Sequence, residues 1–419
     1  MRRYGSKALP LIAAAAAVLL AAGCSSADGS SATGKVLTVG VLTSLTGSFA
    51  QDGTATEDGV ELAVNQINAQ GGIKALGGAK LKVVTVDSGT SGSAAAAAAA
   101  AQLASKNPVF VFNGPVSASV APSAAVLDRA KIPECTDGEL ATLTTSGLRY
   151  LVRLPQSGTG AAEAAVKYFP TALQASSASA SRVAGVYDSN PAQISVTQAF
   201  LDEVNKLPGT SVVYSGEFPL GETNLAPVGA KIAAAKPDIL VPGTSVPELQ
   251  GIEDALHSSG LDLPVFSAGG GISTEEYYES QLGKAVNGQF TIAQFDHSVS
   301  FSAAQNKLMA TANSQYKADF HAPFLGEAAG EAYTCTWDMA TAMESAKSAD
   351  AAKIRQALDQ PITSGPGSLE LPGKVEFNAS GQNIYGSSVL SEWCHGNLSV
   401  VAPANLATAK AQAPKACGD

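Results

Sequence analysis

Two successive rounds of the same alternation, a short β-branched run followed by a helical apolar stripe, restrict this chain more than any other feature of it. Val36 to Leu42 is such a run, closed by Thr43 and Ser44, and Val60, Ala63, Val64 and Ile67 then recur at the spacing of one helical face. Gly71-Gly72 stops that helix. Leu81 to Val86, the alanine run Ala94 to Ala101, Val109 to Phe112 and Val120 to Ala130 continue the pattern. After Tyr150 to Leu154 it restarts, with strands expected at Val183 to Tyr187, Val212 to Phe218, Ile239 to Val241 and Val265 to Ala268. Helical stretches around Phe200, Ile232, Leu249 and Tyr278 separate them. Strand and helix in alternation imply parallel strands covered by helices on both faces, so an α/β fold of two doubly wound units is expected. The 419 residues suit two cores better than one. A third segment breaks the grammar: Ser302 to Asp319, Glu327 to Lys347 and Ala351 to Leu358 read as helices, and Val375 to Phe377 and Ile384 to Trp393 as terminal β-structure around a Ser380-Gly381 turn. Such a tail does not make a third domain and is expected to complete the first two.

The first residues address the chain to a membrane. Arg2, Arg3 and Lys7 precede an apolar run from Leu9 to Ala22, followed by Gly23 and Cys24. This is the form of a signal peptide over residues 1–23, with an apolar run too short for a comfortable transmembrane span. The small residues before Cys24 suit a bacterial lipoprotein, in which that thiol accepts lipid. Residues 24–34 offer nothing apolar larger than alanine and read as a flexible tether. The expected location is therefore the outer face of the cytoplasmic membrane, lipid-anchored through Cys24. Loss of Arg2, Arg3 and Lys7 with the leader moves the formal charge from −10 to −13, which argues against nucleic acid, whose phosphates need Lys and Arg. Four further cysteines, Cys135, Cys335, Cys394 and Cys417, remain for an oxidising compartment, and two disulfides are expected from them.

Signatures of catalysis and of metal or cofactor binding are missing. There is no GxSxG or HExxH, and His257, His297, His321 and His395 are scattered without ligand spacing. Gly29 to Lys35 matches GxxxxGK by letter, but Val36 stands where a hydroxyl residue would hold magnesium, and the match precedes the first strand instead of following one. No cofactor and no metal are expected. A secreted hydrolase would need a nucleophile with a positioned base, and Ser117 has no histidine placed to serve it. What stands out is the loops after strands: Ser44 and Thr46 after the first, Ser117 and Ala118 after the third, Thr244 and Ser245 and then Gly270 in the second unit. In open α/β sheets ligands bind outside the carboxyl ends of the strands. Small hydroxyl and glycine residues there expose backbone N–H groups at helix starts. Four such loops on two units point to a small polar solute gripped between them.

The stretches VGVLTSLTGSFAQDG, GVELAVNQINAQGGI, FNGPVSASVAPSAAVLDRAKIP and PDILVPGTSVPELQGIEDALHSSGLDLPVFSAGG resemble the branched-chain amino-acid (Leu/Ile/Val) binding family of type I periplasmic binding proteins, and the resemblance covers nearly the whole mature chain. It implies two Rossmann-like lobes joined by three hinge crossovers, with lobe one at 35–153 plus about 296–370 and lobe two at 154–295 plus about 371–419. It also implies a monomeric receptor, not an enzyme, that delivers solute to ABC permease and ATPase subunits; a sensor subunit of the same fold is the alternative. With that lobe assignment Cys394 and Cys417 both fall in the tail, and Cys135 and Cys335 in lobe one, so these pairings are expected among the three possible.

Carried over by position, the resemblance places a ligand carboxylate near Ser117 and Ala118, and a hydroxyl contact at Thr136. It implies an aromatic near Asp52 and another near Ala192, and an ammonium-pairing acid near Gly270; none stands there in the sequence. Asp52, Glu134, Asp137 and Asp188 lie in or near cleft loops as substitutes, and Asn190 completes the expected contacts. With the usual counter-charge missing, a carboxylate, amide or urea-like solute is expected in place of a branched-chain amino acid.

Overall fold

In the computed structural model, residues 35–89, 93–176, 182–280, 282–412 and 417 are described. The leader, the tether and the lipidation expected at Cys24 lie outside them. The first lobe is built from β1 (Val36–Thr43), α1 (Ala50–Ala69), β2 (Lys80–Asp87), α2 (Ser93–Ala104), β3 (Phe110–Asn113), α3 (Ser117–Arg129), β4 (Glu134–Thr136) and β5 (Leu151–Arg153). Its five strands are all parallel, in the order β2-β1-β3-β4-β5. Strand order reverses at β1, so the loops after β1 and β3 open on either side of a crevice at the strands' carboxyl ends.

The second lobe follows with α4 (Gly158–Ala175), β6 (Arg182–Asp188), α5 (Pro191–Val204), β7 (Ser211–Phe218), α6 (Ala226–Ala235), β8 (Ile239–Gly243), α7 (Val246–Ser258), β9 (Phe266–Ser267), α8 (Glu275–Glu279) and β10 (Phe290–Ala293). Here β7-β6-β8 are parallel and reverse order at β6. A parallel bridge, Leu240 to Val265, carries the sheet on to β9 and β10. The core of this lobe includes Phe169, Phe200 and Phe266, whose rings meet edge to face or stacked at centroid distances of 5.0 to 5.3 Å.

The third segment completes both lobes, as its helical pattern predicts. Helices α9 (Ala303–Phe320), α10 (Glu327–Ala346) and α11 (Ala351–Ala357) pack with the first lobe, while β11 (Val389–Cys394) and β12 (Asn397–Ala402) add antiparallel strands beside β10. Val375 and Phe377 are buried in the same core as β1, β3 and α10. The chain passes between lobes after Arg153, around Gln294 and after Asn383, the three crossovers of this architecture. Helix α10 is buried along most of its length and lies directly on α1, where a Cβ on Gly59 would fall 2.1 Å from the carbonyl oxygen of Ala329. Only glycine lets the two backbones approach so closely, and that approach sets the position of α10's first turns.

The cysteines pair as Cys135–Cys335, with Cα atoms 6.2 Å apart, and Cys394–Cys417, at 4.6 Å. The first ties β4 to α10 and the second fastens the chain's end to β11.

Candidate functional site

A cavity of about 90 Å³ lies between the lobes at the carboxyl ends of both sheets. The first lobe brings Phe49 and Asp52 from the start of α1, Pro115 and Ser117 from the β3–α3 turn, Asp137 and Glu139 after β4, and Glu327, Ala328 and Glu331 from the first turns of α10. The second lobe brings Asn190, Ala192 and Gln193 from the start of α5, Gly271 and Thr274 after β9, and Gln294 at the end of β10. Helix starts dominate because each strand in a doubly wound sheet hands over to a helix at this edge. The helix dipoles of α1 and α10 favour an acidic side chain in their first turns, where Asp52 and Glu327 stand.

Five of the lining residues are acids, and no Lys, Arg or His is among them. All five belong to the first lobe. Asp137 is 8% exposed and Glu331 3%, and Asp137 Oδ1 and Glu331 Oε1 are buried without a hydrogen-bond donor among the described residues. Gly114 leaves the room that Asp137 occupies, since a Cβ there would lie 2.0 Å from Asp137 Oδ1. Burial, reinforced by Glu139 and Asp52, pushes the Asp137 carboxyl up to about 8. Burial likewise raises Glu139 to about 7, although Arg153 pulls the other way. Burial also holds Glu327 and Glu331 well above the ordinary carboxylate range. The charges of Glu139 and Asp137 reinforce it at Glu327, and those of Glu370, Glu327, Asp137 and Glu139 at Glu331. Arg153 is the nearby cation, but its guanidinium donates to the carbonyl of Leu140 at 2.7 Å, to Thr144 Oγ1 at 3.1 Å and to Gln382 Oε1 at 2.6 Å. It stands behind the site.

Side chains also bridge the lobes around the cavity. Ser273 Oγ donates to Glu327, Gln294 Nε2 to Glu139, and Tyr316 O–H to Glu275 Oε1 at 3.0 Å. Glu275 fits against Gly326, where a Cβ would lie 1.8 Å from Glu275 Oε2. The lobes are therefore closed on each other.

Of the residues expected from sequence to touch ligand, Asp52, Ser117, Asp137 and Asn190 line the cavity. Ser117 Oγ accepts from the Glu139 N–H at 3.0 Å and so holds the acid-bearing loop, and Asn190 caps α5 by accepting from the Ala192 N–H at 3.2 Å. The others are occupied elsewhere. Ser44 donates to the carbonyl of Gly89, and Thr46 pairs with Asp87 at the exposed rim. Thr136 donates to the carbonyl of Asn113 and accepts from the Gly138 N–H. Thr244 and Ser245 both donate to Glu248 Oε2, a capping box that starts α7. Ala118 and Gly270 sit one residue away from the lining positions Ser117 and Gly271. Among the substitute acids, Glu134 is buried against Asn113 Nδ2 and Asp188 accepts from the Asn190 N–H; neither lines the cavity. Phe49, one turn before Asp52, also lines the cavity. Glu139, Glu327 and Glu331 are acids of the lining that the loop-by-loop reading did not single out.

A sequence model of the periplasmic binding protein family matches residues 36–387. Among solved structures, the chain is similar to the branched-chain amino acid transporter substrate-binding protein LivJ of Streptococcus pneumoniae, in complex with isoleucine, with 21% identity and a TM-score of 0.71 over 90% of this chain and 99% of that one. It is also similar to the leucine-binding protein LivK of Thermotoga maritima, with 19% identity and a TM-score of 0.72 over 87% and 98%. A substrate-binding protein of Desulfitobacterium hafniense in complex with Leu gives 19% identity and a TM-score of 0.65 over 87% and 100%.

Proposed function

The chain belongs to the periplasmic binding protein family, and from that premise we propose that it captures a small solute between its lobes and delivers it, in the closed form, to an ABC-type importer. The observation that carries the reading is the cavity itself, small and lined from both lobes at the carboxyl ends of their strands. A solute that touches both lobes at once favours the closed state by its differential affinity, which makes closure report occupancy. Bonds that join the lobes, such as Tyr316 to Glu275, hold the closed form in register. The test is small-angle scattering on ligand-stripped protein across a solute panel. A bound solute is expected to reduce the radius of gyration and to stabilise the fold by about 2.7 kcal/mol at 100-fold its Kd. A panel in which no solute both binds and compacts the protein would refute capture by closure.

The proposed receptor is monomeric and is held at the outer face of the cytoplasmic membrane by lipid on Cys24. Support for anchoring is the basic start, short apolar run and small residues before that cysteine. Cys24→Ser is expected to move the protein from the membrane fraction to the soluble one; retention of the variant in the membrane fraction would count against a lipid anchor.

A further inference from the structure

We infer that the solute is a compact organic dication of the diamine kind, its two positive charges held by carboxylates of the first lobe and its body covered by neutral groups of the second. The inference rests on the capture reading above and names the substrate class of that same cavity.

Charge is distributed unequally between the two walls. Asp137 and Glu139 follow β4, Asp52 begins α1, and Glu327 and Glu331 stand one turn apart on α10, whereas the facing wall presents Asn190, Gln193, Thr274 and Gln294. A cluster of acids alone would be weak ground, because such groups can remain neutral when buried. The stronger observation is that Asp137 Oδ1 and Glu331 Oε1, on separate elements, are sealed from water and have no donor among the described residues. Buried acceptors left unpaired are costly. An ammonium group offers three donors and a charge, and a second ammonium on the same molecule gives the other unpaired carboxyl a donor of its own.

A ligand carboxylate would meet the opposite situation. The lining contains no basic side chain, Arg153 is committed to Leu140, Thr144 and Gln382, and a further anion would add to a charge that already raises Asp137 and Glu331. Size points the same way. The cavity, about 90 Å³, is smaller than the roughly 150 Å³ cavity that accepts benzene. A solute of few non-hydrogen atoms is therefore favoured over a bulky one.

Titration calorimetry on the ligand-stripped protein at pH 8 tests the inference with putrescine, butylamine, leucine, adipate and calcium as probes. Putrescine is expected to bind at least tenfold more tightly than each of the others, and Glu331→Gln and Asp137→Asn are each expected to weaken it tenfold or more. Tighter binding of leucine or adipate with lobe closure would overturn the dication while leaving solute capture intact. Butylamine equal to putrescine, or calcium displacing it, would also overturn it. Putrescine binding unchanged in both variants would remove these two carboxylates from the site and sink the inference. If none of these probes nor any wider panel compacts the protein, capture itself fails along with it.

Discussion

Raising the pH of the ligand-free protein from about 5 to about 8 is expected to lower its melting temperature by several degrees. The cause is the set of carboxyls that folding removes from water. Burial raises Asp137 to about 8 and Glu139 to about 7, and holds Glu327, Glu331, Glu370 and Asp338 well above their ordinary values. A carboxyl whose folded pKa exceeds its unfolded one binds more protons in the folded state between those two values. Stability is then lost as pH rises from the unfolded value, near 4, to the folded one, and the loss is complete above it. A tenfold gain in proton affinity on folding corresponds to about 1.4 kcal/mol, so even part of this set of carboxyls amounts to several kcal/mol. His297, whose ring is buried against Phe324 and whose pKa is lowered mainly by burial, contributes in the opposite direction, but it is one group against several. Glu331→Gln should flatten the profile and raise the melting temperature at pH 8, because an amide does not ionise. Differential scanning calorimetry across the pH range measures both effects. A melting temperature that is flat or rises over this interval would show that these carboxyls are already ionised in the folded protein without loss.

The same residues show what the sequence could and could not reveal. Alternation of β-branched runs with helical stripes located β1, β2, β3, β6, β7 and β8 within a residue or two; β3, β6 and β8 are buried almost throughout, and such strands must be largely apolar. The short strand β10 and the tail strand β12 were missed: β10 has four residues, and β12, beginning Asn397-Leu398-Ser399, pairs only on one side. Helix α4 was missed as well, since it opens on Gly158-Thr159-Gly160 and contains Pro170, which read locally as turn chemistry.

Asp52, Ser117, Asp137 and Asn190 were legible as polar residues at strand-to-helix turns, the positions where a doubly wound sheet opens on its crevice. Thr244 and Ser245 share that position yet are taken up by the Glu248 capping box, a competition between turn chemistry and ligand chemistry that spacing cannot decide. Glu327 and Glu331 had no local signal. Their spacing reads as one polar face of an amphipathic helix, and only the packing of α10 onto α1 turns that face into the wall of a cavity whose other parts lie far earlier in the chain.

That long-range assembly makes the Cys135–Cys335 disulfide the covalent bond most expected to matter. It joins residues 200 apart in sequence, and Cys394–Cys417 joins residues 23 apart. By loop-closure entropy, the first restricts the unfolded chain by about 5 kcal/mol and the second by about 3 kcal/mol. Cys135 lies two residues before Asp137, and Cys335 lies one turn after Glu331 on α10. The bond therefore fastens together the two segments that crowd these acids into one space. Replacing both cysteines by alanine, C135A with C335A, is expected to destabilise more than C394A with C417A in guanidinium unfolding. The gap should not grow from pH 5 to pH 8, because the loop-closure term acts on the unfolded chain whatever the pH, and a chain without the bond is freer to relieve repulsion among ionised carboxyls. An equal or smaller loss from the Cys135–Cys335 pair would mean that α10 is held beside β4 by packing alone.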